Sequence, residues 1–136
     1  MLTEVDLDEV VQELLAGLDL EGREIVVEPL PTVYADQTQI TAVFQNLILN
    51  AVKFSPESEP VRVHAEGQRV MVSDSGPGIP PEDRERVFEP MVRLNKKIPG
   101  TGLGLATSHR IVAAHLGRIG VEETPGGGAT VWFELP

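Results

Sequence analysis

The sequence predicts an α+β fold, a two-layer α/β sandwich whose mixed, mostly antiparallel sheet is covered on one face by helices. Three observations predict it. Short β-branched runs, "REIVVE" (23–28), "VRVHAE" (61–66), "RVMVSD" (69–74), "RIGVEE" (118–123) and "ATVWFEL" (129–135), alternate with stretches of helical period. Four of these runs pair around short turns, Gly67-Gln68 and "TPGGG", as hairpins do. The chain has 136 residues, 41% hydrophobic and 24% charged, which suits one domain with one core across residues 1–136.

The elements follow in order. Residues 4–18 carry Val10, Val11, Leu14, Leu15 and Leu18 on one helical stripe, so residues 1–20 read as a lead-in helix. The run 23–28 is a strand, broken by Pro29 and Pro31. Asp36 with Gln39 three residues on predicts an N-cap and capping box, opening a helix that runs to about Lys53 and stops before Pro56. After the first hairpin, "SGPGIPP" (75–81) is a loop, and "PEDRERVF" (81–88) a short helix with proline at its start and acids in its first turn. Residues 89–101 have no period and hold Arg93, Lys96 and Lys97, which predicts a loop. A helix at 103–116 points Leu105, Ile111, Val112 and Leu116 inward, with Gly117 just past its end. The last hairpin closes the chain.

Charge and composition exclude several functions. Eleven basic against 21 acidic residues leave a net charge of −10, which disfavours a nucleic-acid partner. There is no cysteine, hence no disulfide, thiolate metal site or thiol nucleophile. No apolar run of about 18 residues predicts a membrane span, and the N-terminus lacks the pattern of a signal peptide. No membrane contact is expected of this domain.

Three segments carry chemistry. In "NLILNAVKFS" (46–55), Asn46, Asn50 and Lys53 fall within roughly 60° of helical arc, opposite Ile40, Phe44, Leu47, Ile48 and Ala51. Such a stripe is either solvated surface or a magnesium–phosphate wall: amide oxygens are hard ligands, and lysine is a point charge for phosphate. "SDSGPGIP" (73–80) ends a strand with Asp74-x-Gly76-x-Gly78, where the backbone can approach a flat ligand and a carboxylate can accept from an exocyclic amine. An ordinary Asp-Gly turn has the same letters. "PGTGLGLA" (99–106) runs Gly100, Gly102 and Gly104 into a helix, exposing free N–H groups at its positive end. A Walker A loop is excluded, since no Gly-Lys dipeptide occurs. The dinucleotide fingerprint needs other spacing and a preceding strand.

In order, "NLILNAVKFS", "DSGPGI", "RVFEP", "GTGLGLA" and "PGGGATVWFELP" resemble the N, G1, F and G2 boxes and the closing strand of sensor histidine kinases. The resemblance is to their catalytic ATP-binding domain, of the gyrase, heat-shock-chaperone, histidine-kinase and MutL superfamily, over about residues 32–136. It implies a Bergerat-type sandwich binding ATP and Mg²⁺. By position it implies Asn50 as the magnesium ligand, Asn46 and Lys53 beside the phosphates, and Phe54 beside the nucleoside. Asp74 would read the adenine amine, with Gly76, Gly78 and Ile79 shaping the base pocket and Thr130 supporting the contact. Phe88 belongs to the F box, residues 91–101 to a short lid that includes Gly100 and Thr101, and Gly102, Leu103 and Gly104 to its phosphate end. Hydrolysing relatives carry glutamate where Asn46 stands, and an amide cannot take the proton of an attacking water.

The resemblance therefore implies a protein histidine kinase domain of two-component signalling, with Asn46, Asn50 and Lys53 at its catalytic end. It would donate the γ-phosphoryl group of Mg-ATP to a histidine on a dimerisation and phosphoacceptor domain that this sequence lacks, with a response regulator downstream. His64, His109 and His115 do not sit in a phosphoacceptor context, and each reads as structural or surface. The isolated domain is expected to be cytoplasmic and monomeric, the parent kinase membrane-bound or soluble. Two alternatives keep the fold: a stand-alone serine kinase of the anti-sigma-factor type, and a nucleotide-sensing module without transfer.

Overall fold

The structure, a computed structural model, describes residues 1–18, 20, 22–56, 59–84, 86–88 and 104–136. In chain order the elements are β1 (Thr3–Asp6), α1 (Leu7–Gly17), β2 (Ile25–Val27), β3 (Thr32–Ala35), α2 (Gln37–Phe54), β4 (Val61–Glu66) and β5 (Arg69–Ser73). Two 3₁₀ turns (Pro81–Asp83 and Arg86–Phe88), α3 (Gly104–Ala114), β6 (Arg118–Glu123) and β7 (Ala129–Glu134) complete them. The main sheet has five strands in the order β2-β4-β5-β7-β6. β2 runs parallel to β4, with Ile25 opposite Val61, and the other pairs are antiparallel. The predicted mixed, mostly antiparallel sheet is therefore present.

Alternation along the strands sends one set of side chains to the helices. Val61 and Val63, Val70 and Val72, and Val131 and Phe133 are buried with Ile40, Val43, Phe44, Leu47 and Ile48 of α2. The Phe44 ring meets Phe133 edge-on at 5.5 Å between centroids. Leu7, Val10 and Val11 of α1 and Val112 of α3 extend the same core. The apolar arc predicted for α2 is the face it buries. The opposite face of the sheet is polar: Arg69 stacks 3.9 Å over the Trp132 ring and pairs with Glu134, which also takes Arg118.

Four expectations change. The lead-in helix is shorter than predicted, because Thr3–Asp6 is a strand paired antiparallel with Thr32–Ala35 in a separate two-stranded sheet. Asp6 then caps α1 by accepting from the Asp8 N–H at 3.0 Å. The capping box at α2 is half formed: Asp36 Oδ1 accepts from the Gln39 N–H at 3.0 Å, but the Asp36 N–H donates to His115 Nε2 at 3.1 Å. Pro81–Asp83 and Arg86–Phe88 form 3₁₀ turns where a short helix is predicted.

Leu116 points outward, 85% exposed, not inward. α3 ends at Ala114, and the Leu116 and Gly117 N–H groups donate to the Ala113 and Val112 carbonyls in a Schellman closure. That closure puts Leu116 at φ 61°, a left-handed position where glycine is usual. At the same end of the sheet, Gly67 (φ 60°) turns the exposed β4–β5 hairpin tip. Among the described residues no helix is long and apolar enough to cross a membrane.

Candidate functional site

The site is built where the end of β5 meets the last turn of α2. Asp74 follows β5 directly and is only 5% exposed. Its Oδ1 accepts from the Gly76 N–H at 2.9 Å and the Ala129 N–H at 3.0 Å, while its own N–H donates to the Ala129 carbonyl at 2.9 Å. Among the described residues Oδ2 makes no hydrogen bond. Burial pushes the carboxyl pKa up, and the two backbone donors pull it partly back. One oxygen is thus tied down and the other left to accept.

Two close backbone contacts explain the glycines around it. A Cβ on Gly76 would lie 2.2 Å from the Phe54 carbonyl oxygen, so the loop rests directly on the last turn of α2. The Ser75 N–H adds a bond to Ser55 Oγ at 3.0 Å. On the other side Gly128, at φ +101°, brings the β6–β7 turn so close that a Cβ would lie 2.1 Å from the Asp74 carbonyl oxygen. Gly78 lies against the same turn, and Ile79, half-buried, accepts from Arg84 Nε at 3.2 Å through its carbonyl.

Thr130 lies behind this loop. Its hydroxyl bonds Ser73 Oγ at 2.8 Å and Thr124 Oγ1 at 2.9 Å, and Ser73 Oγ in turn bonds His64 Nε2 at 2.9 Å. The chain His64–Ser73–Thr130–Thr124 lies on the sheet face opposite the helices and fixes the two strands that carry Asp74 and Ala129. Burial pushes the His64 pKa down, and Arg62 adds to that. His64 is therefore structural, as its strand position implies. His115 likewise joins α3 to α2, with Nδ1 bonded to the Ile111 carbonyl at 2.8 Å.

The polar stripe of α2 leads away from Asp74 along the helix. Phe54 and Asn50 are half-buried, and Lys53 is exposed. The Asn50 side chain makes no hydrogen bond among the described residues. Asn46 packs against the first turn of α3: the Cβ position of Gly104 lies 3.7 Å from its amide, and its Nδ2 reaches Ser108 Oγ at 3.5 Å. Ser108 is fully buried, so Asn46 is placed by the α2–α3 contact. Phe88 packs on the core with its ring 5.6 Å from that of His109 on α3. The structure therefore brings together Asp74, Gly76, Gly78 and Phe54 at one end of α2, and Asn46 and Gly104 farther along it. Gly100, Thr101, Gly102 and Leu103, with the lid at 91–101, lie outside the described residues.

Sequence reasoning missed Ser55, Ser73, Thr124 and Arg23 among the supporting residues. No local motif marks them, since each acts on a partner distant in sequence, except for Thr124, six residues from Thr130.

An α2 carrying a line of amides, a buried strand-end aspartate and a glycine at the start of α3 define an ATPase-like sandwich. Residues 35–136 match the family model for the histidine kinase-, DNA gyrase B- and HSP90-like ATPases, and the chain belongs to that family. The mycobacterial sensor histidine kinase MprB is similar in structure, with a TM-score of 0.84 and 30% identity over 100% of this chain and 97% of that one. ShkA, solved full-length in complex with AMPPNP, has a TM-score of 0.81 and 36% identity over 99% of this chain and 31% of that one. The phytochrome-like protein Cph1 of Synechocystis is 40% identical over 99% of this chain. The chain spans 20% of the length of that relative. The histidine-kinase resemblance read from the motifs is thereby established, as is the sandwich fold.

Proposed function

We propose that the chain binds Mg-ATP between α2, the 74–78 loop and the start of α3, as the nucleotide-binding part of a larger two-component histidine kinase. The γ-phosphoryl group then passes to a histidine on a separate dimerisation domain. The observation that carries this reading is Asp74: a buried carboxylate with one oxygen held by two backbone N–H groups and the other open to a donor. An adenine amine is a suitable donor, and Gly76 and Gly78 leave room for a flat ring.

The residues fit a magnesium ion taken largely from the substrate. Mg²⁺ commonly takes one or two protein ligands and fills its other positions with substrate phosphates and water. Asn50 offers a hard amide oxygen with no partner among the described residues, and Lys53 an exposed ammonium. Bound there, Mg²⁺ supplies charge neutralisation at the phosphates. Asn46 accepts no proton from water, so hydrolysis is slow and the phosphoryl group is kept for another acceptor.

The test is calorimetry of Mg-ATP with this chain, followed by phosphoryl transfer from labelled ATP to a supplied phosphoacceptor hairpin. Binding with little turnover alone, and label on the hairpin histidine, are the expected results. Undetectable binding overturns the reading. Label on serine overturns the histidine assignment.

A further inference from the structure

α2 ends without a glycine. Its C-cap is Ser55, in extended conformation, followed by Pro56, so the last carbonyls need partners from elsewhere. Arg23, just before β2, supplies them. Its Nη1 donates to the Val52 carbonyl at 3.0 Å, and its Nη2 donates to the Ser55 and Pro56 carbonyls at 2.6 and 2.8 Å. A guanidinium there also complements the negative end of the helix dipole.

The backbone around Arg23 is itself held. Its N–H donates to the Leu20 carbonyl, and the neighbouring Glu24 carbonyl accepts from Val61 at the β2–β4 junction. The fork is therefore anchored on the sheet. Its Nε is buried without a partner among the described residues, an arrangement that the three terminal bonds must offset.

The turn that Arg23 holds is the one on which the Asp74 loop rests. Lys53, Phe54, Ser55 and Pro56 follow Val52 directly; the Phe54 carbonyl touches Gly76, and Ser55 Oγ accepts from Ser75. We infer that Arg23 is a positioning residue for base recognition: by clamping the last carbonyls of α2 it sets where Asp74 stands relative to Asn50 on the same helix. The inference rests on the proposed reading of the site as a nucleotide pocket. Arg23 touches no substrate; it acts through Ser55 and Phe54.

The experiment measures Mg-ATP and Mg-GTP affinities by calorimetry for the wild-type chain, Arg23→Ala and Arg23→Lys, with folded fractions from circular dichroism. Loss of charged hydrogen bonds at the turn weakens ATP binding by about tenfold in Arg23→Ala. The ATP-to-GTP affinity ratio falls with it, because the carboxylate that reads the base is displaced. Arg23→Lys, which keeps the charge and loses the fork, shows a smaller fall in both. If Arg23→Ala does not fold, Arg23→Lys alone decides.

Millimolar guanidinium ion restores part of the ratio in Arg23→Ala, which general destabilisation would not allow. Equal loss for both nucleotides, or no loss, overturns the positioning role and leaves the nucleotide reading intact. A wild-type chain that fails to bind ATP, or does not prefer it to GTP, overturns the adenine reading and this inference with it.

Discussion

Two aspartates stand near the two ends of α2, and folding treats them in opposite ways. Asp36, at the N-terminal end, caps the helix and is partly exposed; its Oδ1 accepts from the Gln39 N–H, which favours the charged form, and its carboxyl pKa lies below the ordinary value of 3.8. Asp74, against the C-terminal turn, is buried, and its pKa is raised from the same value. The first charge sits where the helix dipole and a free N–H want it. The second loses solvation on folding, so its charged form is the one that folding disfavours. A carboxylate that costs stability and still leaves an oxygen unbonded is the mark of a recognition group, whereas one that adds stability needs no other reason.

The comparison breaks in four places, from the largest expected effect to the smallest. Gly76→Ala drives a methyl into the Phe54 carbonyl, which no side-chain adjustment relieves. The expected loss is about 2–3 kcal/mol in urea denaturation, with ATP affinity falling alongside. Asp74→Asn retains the Oδ1 acceptor and removes the charge. ATP affinity should drop roughly 10- to 100-fold in calorimetry, while apo stability at neutral pH is unchanged or higher.

The pH dependence carries the sign. For Asp74, stability is fully present below pH 3.8 and is lost as pH rises through its raised folded pKa. For Asp36, stability is present above pH 3.8 and is lost as pH falls through its lowered folded pKa. Acid titrations of Asp74→Asn and Asp36→Asn should therefore differ from the wild type in opposite directions. Equal pH profiles would remove the contrast.

Asp36→Ala sharpens the comparison from the other end. Losing the cap should lower the midpoint of thermal or urea unfolding. ATP affinity should stay within a factor of about two, because nothing at that end touches the Asp74 loop. The smallest effect lies at the C-terminus of α3. Leu116→Gly relieves a left-handed leucine that buries nothing, and should stabilise by up to about 1 kcal/mol in the same assay.

What was legible in the sequence divides along the same line. α2 was plain, because Asp36, Gln39, the apolar arc and Pro56 all lie within the helix or at its edges. The hairpins were legible from Gly67-Gln68 and the triple glycine, and Asp74 from the glycines that follow it. β1 and β3 escaped, since four-residue strands paired across the chain carry too little pattern to compete with the helical stripe beside them. The capping box was overread because His115, 79 residues away, takes the Asp36 N–H. Arg23 could not be found at all: its bonds reach 29 to 33 residues along the chain, and its role comes from a carbonyl turn that only folding assembles. Local chemistry is written locally, and what holds it in place is not.

The β4–β5 hairpin has a practical consequence. Its tip is exposed and lies at the opposite end of β5 from Asp74, and Gly67 has open space around it. The chain contains no thiol. A single Gln68→Cys substitution would therefore accept a fluorophore at one defined point, remote from the pocket yet on the strand that feeds it. The domain comes with an address for a reporter, and ligand occupancy could be followed in solution without altering any group that meets the nucleotide.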